Sequence, residues 1–176
     1  MTQRSTTRTI RIDDDLDQKI ERWAREEGIS VNMAVNSALR EFLDWHVVAA
    51  KFGMASYSLG FVNRLLQKYN EKECEDLGKW SAREIFKPFA EYQFGNLTFE
   101  SFLEACERIA KYSGRYKFDF ANNGSEYVLF LKHGCGRKWS YYYSGLIHSI
   151  FEEMLSGDVK TELSDDLLIS KISHDA

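Results

Sequence analysis

The segment Thr6 to Ile12 reads T-T-R-T-I-R-I, and its β-branched residues favour a strand. Ile10 and Ile12 fall on one face of that strand, and Thr7, Thr9 and Arg11 on the other. A single short strand followed by helices cannot satisfy its own backbone amides and carbonyls. It needs a partner strand, and the nearest candidate is the same segment of a second copy of the chain. Pairing between two chains is therefore expected before any other feature is considered.

Two helices follow. The run Asp13-Asp14-Asp15 offers an N-cap and places negative charge at the positive end of a helix dipole. Leu16, Ile20, Trp23 and Ala24 recur at helical spacing, and Gly28 suits the residue after the helix end. Ser30 suits the N-cap of a second helix, with Val31, Val35, Ala38, Leu39 and Phe42 on its buried side.

Strand, helix, glycine turn and helix within about forty residues resembles the ribbon-helix-helix family of Arc, MetJ and CopG type. The stretch Ala24 to Asn32, A-R-E-E-G-I-S-V-N, is especially similar to the Arc-type turn. The resemblance covers roughly residues 6–45 and implies a DNA-binding domain over 1–45, with residues 46–176 left for a separate C-terminal domain. It implies that Thr7, Thr9 and Arg11 face the major groove, where arginine bonds guanine and threonine meets a base edge or a thymine methyl. Ser30, Val31 and Asn32 match the helix start that holds a phosphate, with Arg4 and Arg8 as further phosphate contacts. Arg8 departs from the pattern, because the family often carries an apolar residue there.

The charge distribution agrees with a local patch. The whole chain carries 23 basic and 27 acidic side chains, a net charge of −4, which argues against nonspecific coating of nucleic acid. Arg4, Arg8 and Arg11 nevertheless precede the first acid, Asp13, and pairing of two chains doubles that patch. The opening residues lack the apolar stretch of a signal peptide, no apolar run is long enough to span a membrane, and Cys74, Cys106 and Cys135 suit free thiols. A cytoplasmic protein is expected.

From Trp45 the apolar residues Val48, Phe52, Ala55, Leu59, Val62, Leu66 and Tyr69 follow at alternating steps of three and four. That seam predicts one long linking helix, with Gly53 and Gly60 as points of close approach or bending. Asn70 to Gly78 reads as a charged connector. Ser81 and Glu84 form the pattern of a capping box, and Pro88 kinks that helix or starts a new turn. Gly95-Asn96 breaks the chain, and Thr98 caps a helix that buries Phe99, Phe102, Leu103, Cys106 and Ile109 before Gly114.

The remainder predicts a small ββαββ sheet, making the whole chain α+β. Tyr116, Phe118 and Phe120 line one face of a strand, Asn122-Asn123-Gly124 is a hairpin turn, and Tyr127 to Lys132 is a central strand. A helix is expected over about 138–156, then strands over 159–163 and 167–172, with the helix on one face of the sheet.

Between the second strand and that helix lies H-G-C-G-R-K-W-S, His133 to Ser140. Glycine turns and exposed amides at a helix start favour anions, so Gly134, Gly136, Arg137, Lys138 and Ser140 form a candidate site for a small anionic effector. The spacing matches neither a P-loop nor a dinucleotide fingerprint. His133, Cys135 and His148 are candidate metal ligands by comparison with nickel-responsive ribbon-helix-helix regulators, but their His-x-His pattern is missing, and no metal or other cofactor is expected. Tyr141, Tyr142 and Tyr143 could line a pocket or pack as core. No motif of a nucleophile, a zinc hydrolase or a paired acid and base is found, so no enzyme is expected. The expected function is a sequence-specific transcriptional regulator, a repressor, binding double-stranded DNA as a homodimer or a dimer of dimers. The alternative is an antitoxin-like interaction protein whose C-terminal part binds a protein partner.

Overall fold

The computed structural model describes residues 6–124, 126–153, 155 and 158–173, so Arg4 lies outside the described residues. The chain divides into two compact units, Met1–Val48 and Ala49–Ala176. Among the described residues no helix is long and apolar enough to cross a membrane.

The first unit is built on α1 (Asp14–Glu26) and α2 (Val31–Glu41). Asp13 caps α1 through its carbonyl, which accepts from the amides of Leu16 and Asp17, rather than through its side chain. Gly28, at φ 66°, closes α1 with the amide of Ile29 bonded to the Ala24 carbonyl. A left-handed residue at that point is what glycine supplies at least cost. Ser30 caps α2, its Oγ accepting from the Met33 amide at 3.2 Å. Residues 6–12 form no strand within one chain.

The side chains expected to fill this unit's core are mostly uncovered. Among its described residues the buried apolar side chains are Ala24, Ala34 and Val48. Leu16, Leu39 and Phe42 are 48%, 53% and 55% exposed. Of the side chains expected to be buried on these two helices, Ala24 is buried, and Leu16, Val31, Leu39 and Phe42 are exposed.

The predicted long helix from Trp45 to Tyr69 is not formed. From Glu41 the helix passes through a wide π turn, Phe42–His46, into α3 (Val47–Lys51), which Gly53 ends at φ 60° with the Met54 amide bonded to the Ala49 carbonyl. A new helix, α4 (Leu59–Leu66), starts behind the N-cap Ser58. Gly60 approaches nothing closely. The three-four spacing survives the break, so periodicity alone could not reveal it. Phe52, counted as part of the seam, packs edge-on against Phe89 and Tyr92.

The expected connector Asn70 to Gly78 is helical as well. Asn70 and Glu73 form the capping box of α5 (Glu71–Ser81), each side chain bonding the other residue's amide. Ser81 is a buried mid-helix residue and not a cap. The helix runs on through a π turn, Ala82–Phe86, into α6 (Lys87–Phe94), with Pro88 in its first turn. Proline removes one amide and crowds the carbonyl four residues back, and a widened turn just upstream relieves both. Gly95 ends α6 at φ 88°, and Thr98 with Ser101 caps α7 (Phe99–Ser113), which stops at Gly114.

The C-terminal sheet has the expected elements: β1 (Lys117–Asn122), β2 (Glu126–Lys132), α8 (Arg137–Glu153), β3 (Asp158–Leu163) and β4 (Leu167–Ser173). The order is β1-β2-β4-β3 with every neighbouring pair antiparallel. β2 and β3 therefore run parallel with β4 inserted between them, a split crossover through α8. Leu129, Leu131, Leu168, Ile172 and Val159 face the helices and are buried. α8 lies between this face and α5, and the two helices meet at Gly78 and Gly145. A Cβ at Gly78 would stand 2.0 Å from the Tyr142 carbonyl oxygen, and one at Gly145 2.0 Å from that of Glu75. Phe86, Phe102 and Phe151 fill the core beside this crossing, with Phe102 and Phe151 edge to face at 4.9 Å.

Candidate nucleic-acid interface

The candidate interface is assembled from residues 6–12 and the start of α2. Thr7, Arg8, Thr9 and Arg11 are all exposed, while Ile12 is partly covered. No acidic side chain is paired with Arg8 or Arg11 among the salt bridges of the described residues.

At α2 the first-turn amides have no acceptor inside the helix. Ser30 Oγ takes the amide of Met33, leaving those of Val31 and Asn32 directed outward at the positive end of the dipole. The Asn32 side chain is held back along the helix, its Oδ1 3.3 Å from Asn36 Nδ2, which also donates to the Asn32 carbonyl at 2.8 Å. Ser30, Val31 and Asn32 are exposed, so a phosphate can reach the two amides. On the far side, Asp15 and Lys19 of α1 pair at 3.0 Å in full solvent, a contact worth little.

The second candidate site, at His133 to Ser140, is occupied by the protein's own groups. Gly134 and Gly136 turn the chain at φ 61° and 88°. Lys138 Nζ donates to the carbonyls of Gln67, at 2.8 Å, and Tyr69, so its charge caps the end of α4 instead of meeting an effector. Arg137 lies 3.8 Å from Glu71 and over the Tyr141 ring. Ser140 is fully buried and donates to the Ser164 carbonyl at 2.5 Å. Two of the five expected anion contacts, Lys138 and Ser140, are thus engaged within the chain, in a turn that ties α8 to α4, α5 and the β3–β4 loop.

His133 completes that turn. The Cys135 amide donates to its Nδ1 at 3.2 Å, so the proton sits on Nε2, which donates to Ser140 Oγ at 2.9 Å. Burial pushes the imidazole pKa down, partly opposed by Asp166, whose carbonyl holds the His133 amide. The ring is a neutral, fully bonded strut with no lone pair left for a metal. His148 lies elsewhere, bonded to Thr161 Oγ1 at 3.0 Å and Glu152 at 3.2 Å. Among the described residues no three His, Cys, Asp or Glu side chains converge as a metal site. Tyr143 is core, stacked on Trp139 and edge-on to Tyr116, and burial pushes its phenol pKa well up.

No protein-family model and no curated protein matches the sequence.

Proposed function

We propose that the protein is a homodimeric, sequence-specific DNA-binding regulator that inserts a two-stranded ribbon, one Thr6–Ile12 segment from each copy, into the major groove. The observation that carries this reading is the uncovered apolar face of the first unit. Leu39, Phe42 and Leu43, three and four residues apart on one side of the second helix, stand exposed, as do Ile10 and Leu16 before it. Burying a side chain of this size stabilises by roughly 1.5–3 kcal/mol. A second copy covers the face, and the same pairing gives residues 6–12 the partner strand that their backbone requires.

In that dimer the isoleucines turn inward, and Thr7, Thr9 and Arg11 of both chains turn outward to the bases. Arg8 and the Val31 and Asn32 amides hold flanking phosphates, which fix register without reading sequence. Paired dimers bind repeated or palindromic half-sites and repress by occupying a promoter in the cytoplasm.

Selection of bound duplexes from a random pool, followed by titration of the recovered site and a scrambled one, tests the reading. Arg11→Ala lowers discrimination between the two by about 1–3 kcal/mol, roughly 5- to 150-fold. An Arg11→Ala protein with the parent's operator preference removes Arg11 from the interface.

A further inference from the structure

The sheet has a second face that neither α7 nor α8 touches. Both helices meet the side of Leu129: Phe99 of α7 packs on Tyr127 at 4.1 Å, and His148 of α8 bonds Thr161. The register sorts the opposite side chains into four rows across the strands. They are Lys117–Lys132–Leu167, then Asp119–Phe130–Ile169–Glu162, then Ala121–Val128–Lys171–Lys160, and last Glu126–Ser173–Asp158. Val128, Phe130, Leu167 and Ile169 are half-buried at the middle of this face, and charge surrounds them. One end of the strands is basic, through Lys117 and Lys132, and the other acidic, through Glu126 and Asp158.

We infer that this face packs on the same face of a second copy, about a two-fold axis that runs across the strands. That axis reverses strand direction, so the basic end of each copy meets the acidic end of the other. Lys132 then opposes Glu126, Phe130 opposes Val128, and Glu162 opposes Lys160 while keeping its own Lys171 at 2.8 Å. An axis along the strands would instead set Asp119 against Glu162 and Lys132 against Leu167. Its like-charge pair disfavours it, whereas the axis across the strands opposes no like charges, although it too sets a lysine, Lys171, against an apolar residue, Ile169. Aligned sheet packing, about 30° off parallel, leaves the central strand β2 over its counterpart.

Four strands at a 4.8 Å spacing and about seven residues give each copy roughly 400 Å² of face. That is about half of what a free-standing pair needs. The face therefore closes between chains already joined at their first units, where effective concentration replaces intrinsic affinity. This step rests on the proposed dimer.

Zero-length carbodiimide coupling of the full chain, read by mass spectrometry of peptides, tests it. Lys132 and Glu126 lie six residues apart on one strand, about 20 Å, so an amide between them forms only between copies. The Lys171–Glu162 link, made within one chain, is the internal control. The Lys132–Glu126 link is expected in the parent, lost in Lys132→Glu and in Glu126→Lys, and regained when both changes are combined. A sedimenting dimer with the control link and no Lys132–Glu126 link overturns the sheet contact alone. A sedimenting monomer without it overturns both that contact and the dimer.

Discussion

His133 shows how a residue type that invites a functional role can be fully spent on structure. Its Nδ1 accepts from Cys135, its Nε2 donates to Ser140, and Ser140 donates onward to Ser164, so each proton in the chain has one place to go. Protonating the ring would break the first of these bonds in a buried setting. Burial lowers the folded pKa below the usual 6.5. Above about pH 6.5 the ring is neutral both folded and unfolded, and its contribution is fully present. As pH falls below that value the unfolded chain binds a proton that the folded one refuses, and stability drops until the folded pKa is passed. Urea midpoints measured between pH 7.5 and 5 are expected to fall less steeply in His133→Gln than in the parent. Equal slopes would show that the imidazole carries no such linkage.

At the scale of elements, the α5–α8 crossing depends on two glycines whose role is steric and not conformational. With a Cβ only 2.0 Å from a backbone oxygen on the facing helix, Gly145→Ala cannot be absorbed by turning a side chain. Alanine gains about 1 kcal/mol of helix propensity over glycine, but overpacking costs about 1–3 kcal/mol or more. A net loss of stability, read as a lower denaturation midpoint, is expected, and a midpoint raised above the parent's would contradict the close approach. Neither glycine stood out in the sequence, where Gly53 and Gly60 drew attention by their seven-residue spacing. What a glycine faces depends on a partner helix far along the chain. Local signals were legible: the caps at Ser30 and Thr98, the stops at Gly28 and Gly114, and all four C-terminal strands. The break between α3 and α4 was not, since both helices keep the same apolar spacing across Gly53. Asn70 as a cap was hidden by the charged residues after it, which read as loop and are the solvent side of α5.

For the whole molecule, the first unit and the sheet pose the same problem at different sizes. Each presents apolar side chains that one chain leaves at least partly open, and we propose for each that a second copy covers it. The two faces of residues 6–12, with Thr7, Thr9 and Arg11 on the one proposed to read bases, follow from strand alternation, which is local, although no strand forms there within one chain. Their competence is not local, since it depends on a second strand supplied by another chain. At the candidate effector site the converse holds: Lys138 and Ser140 look available in sequence and are bonded to carbonyls about 70 and 24 residues away.

Sedimentation equilibrium across low micromolar concentrations, with circular dichroism of the same samples, decides whether a second copy closes the first unit. A dimer is expected whose dissociation coincides with loss of part of the helical signal, because among the described residues Leu39 and Phe42 of the first unit lie exposed. A folded monomer that keeps its helices throughout, with Leu39 and Phe42 in water, would contradict it.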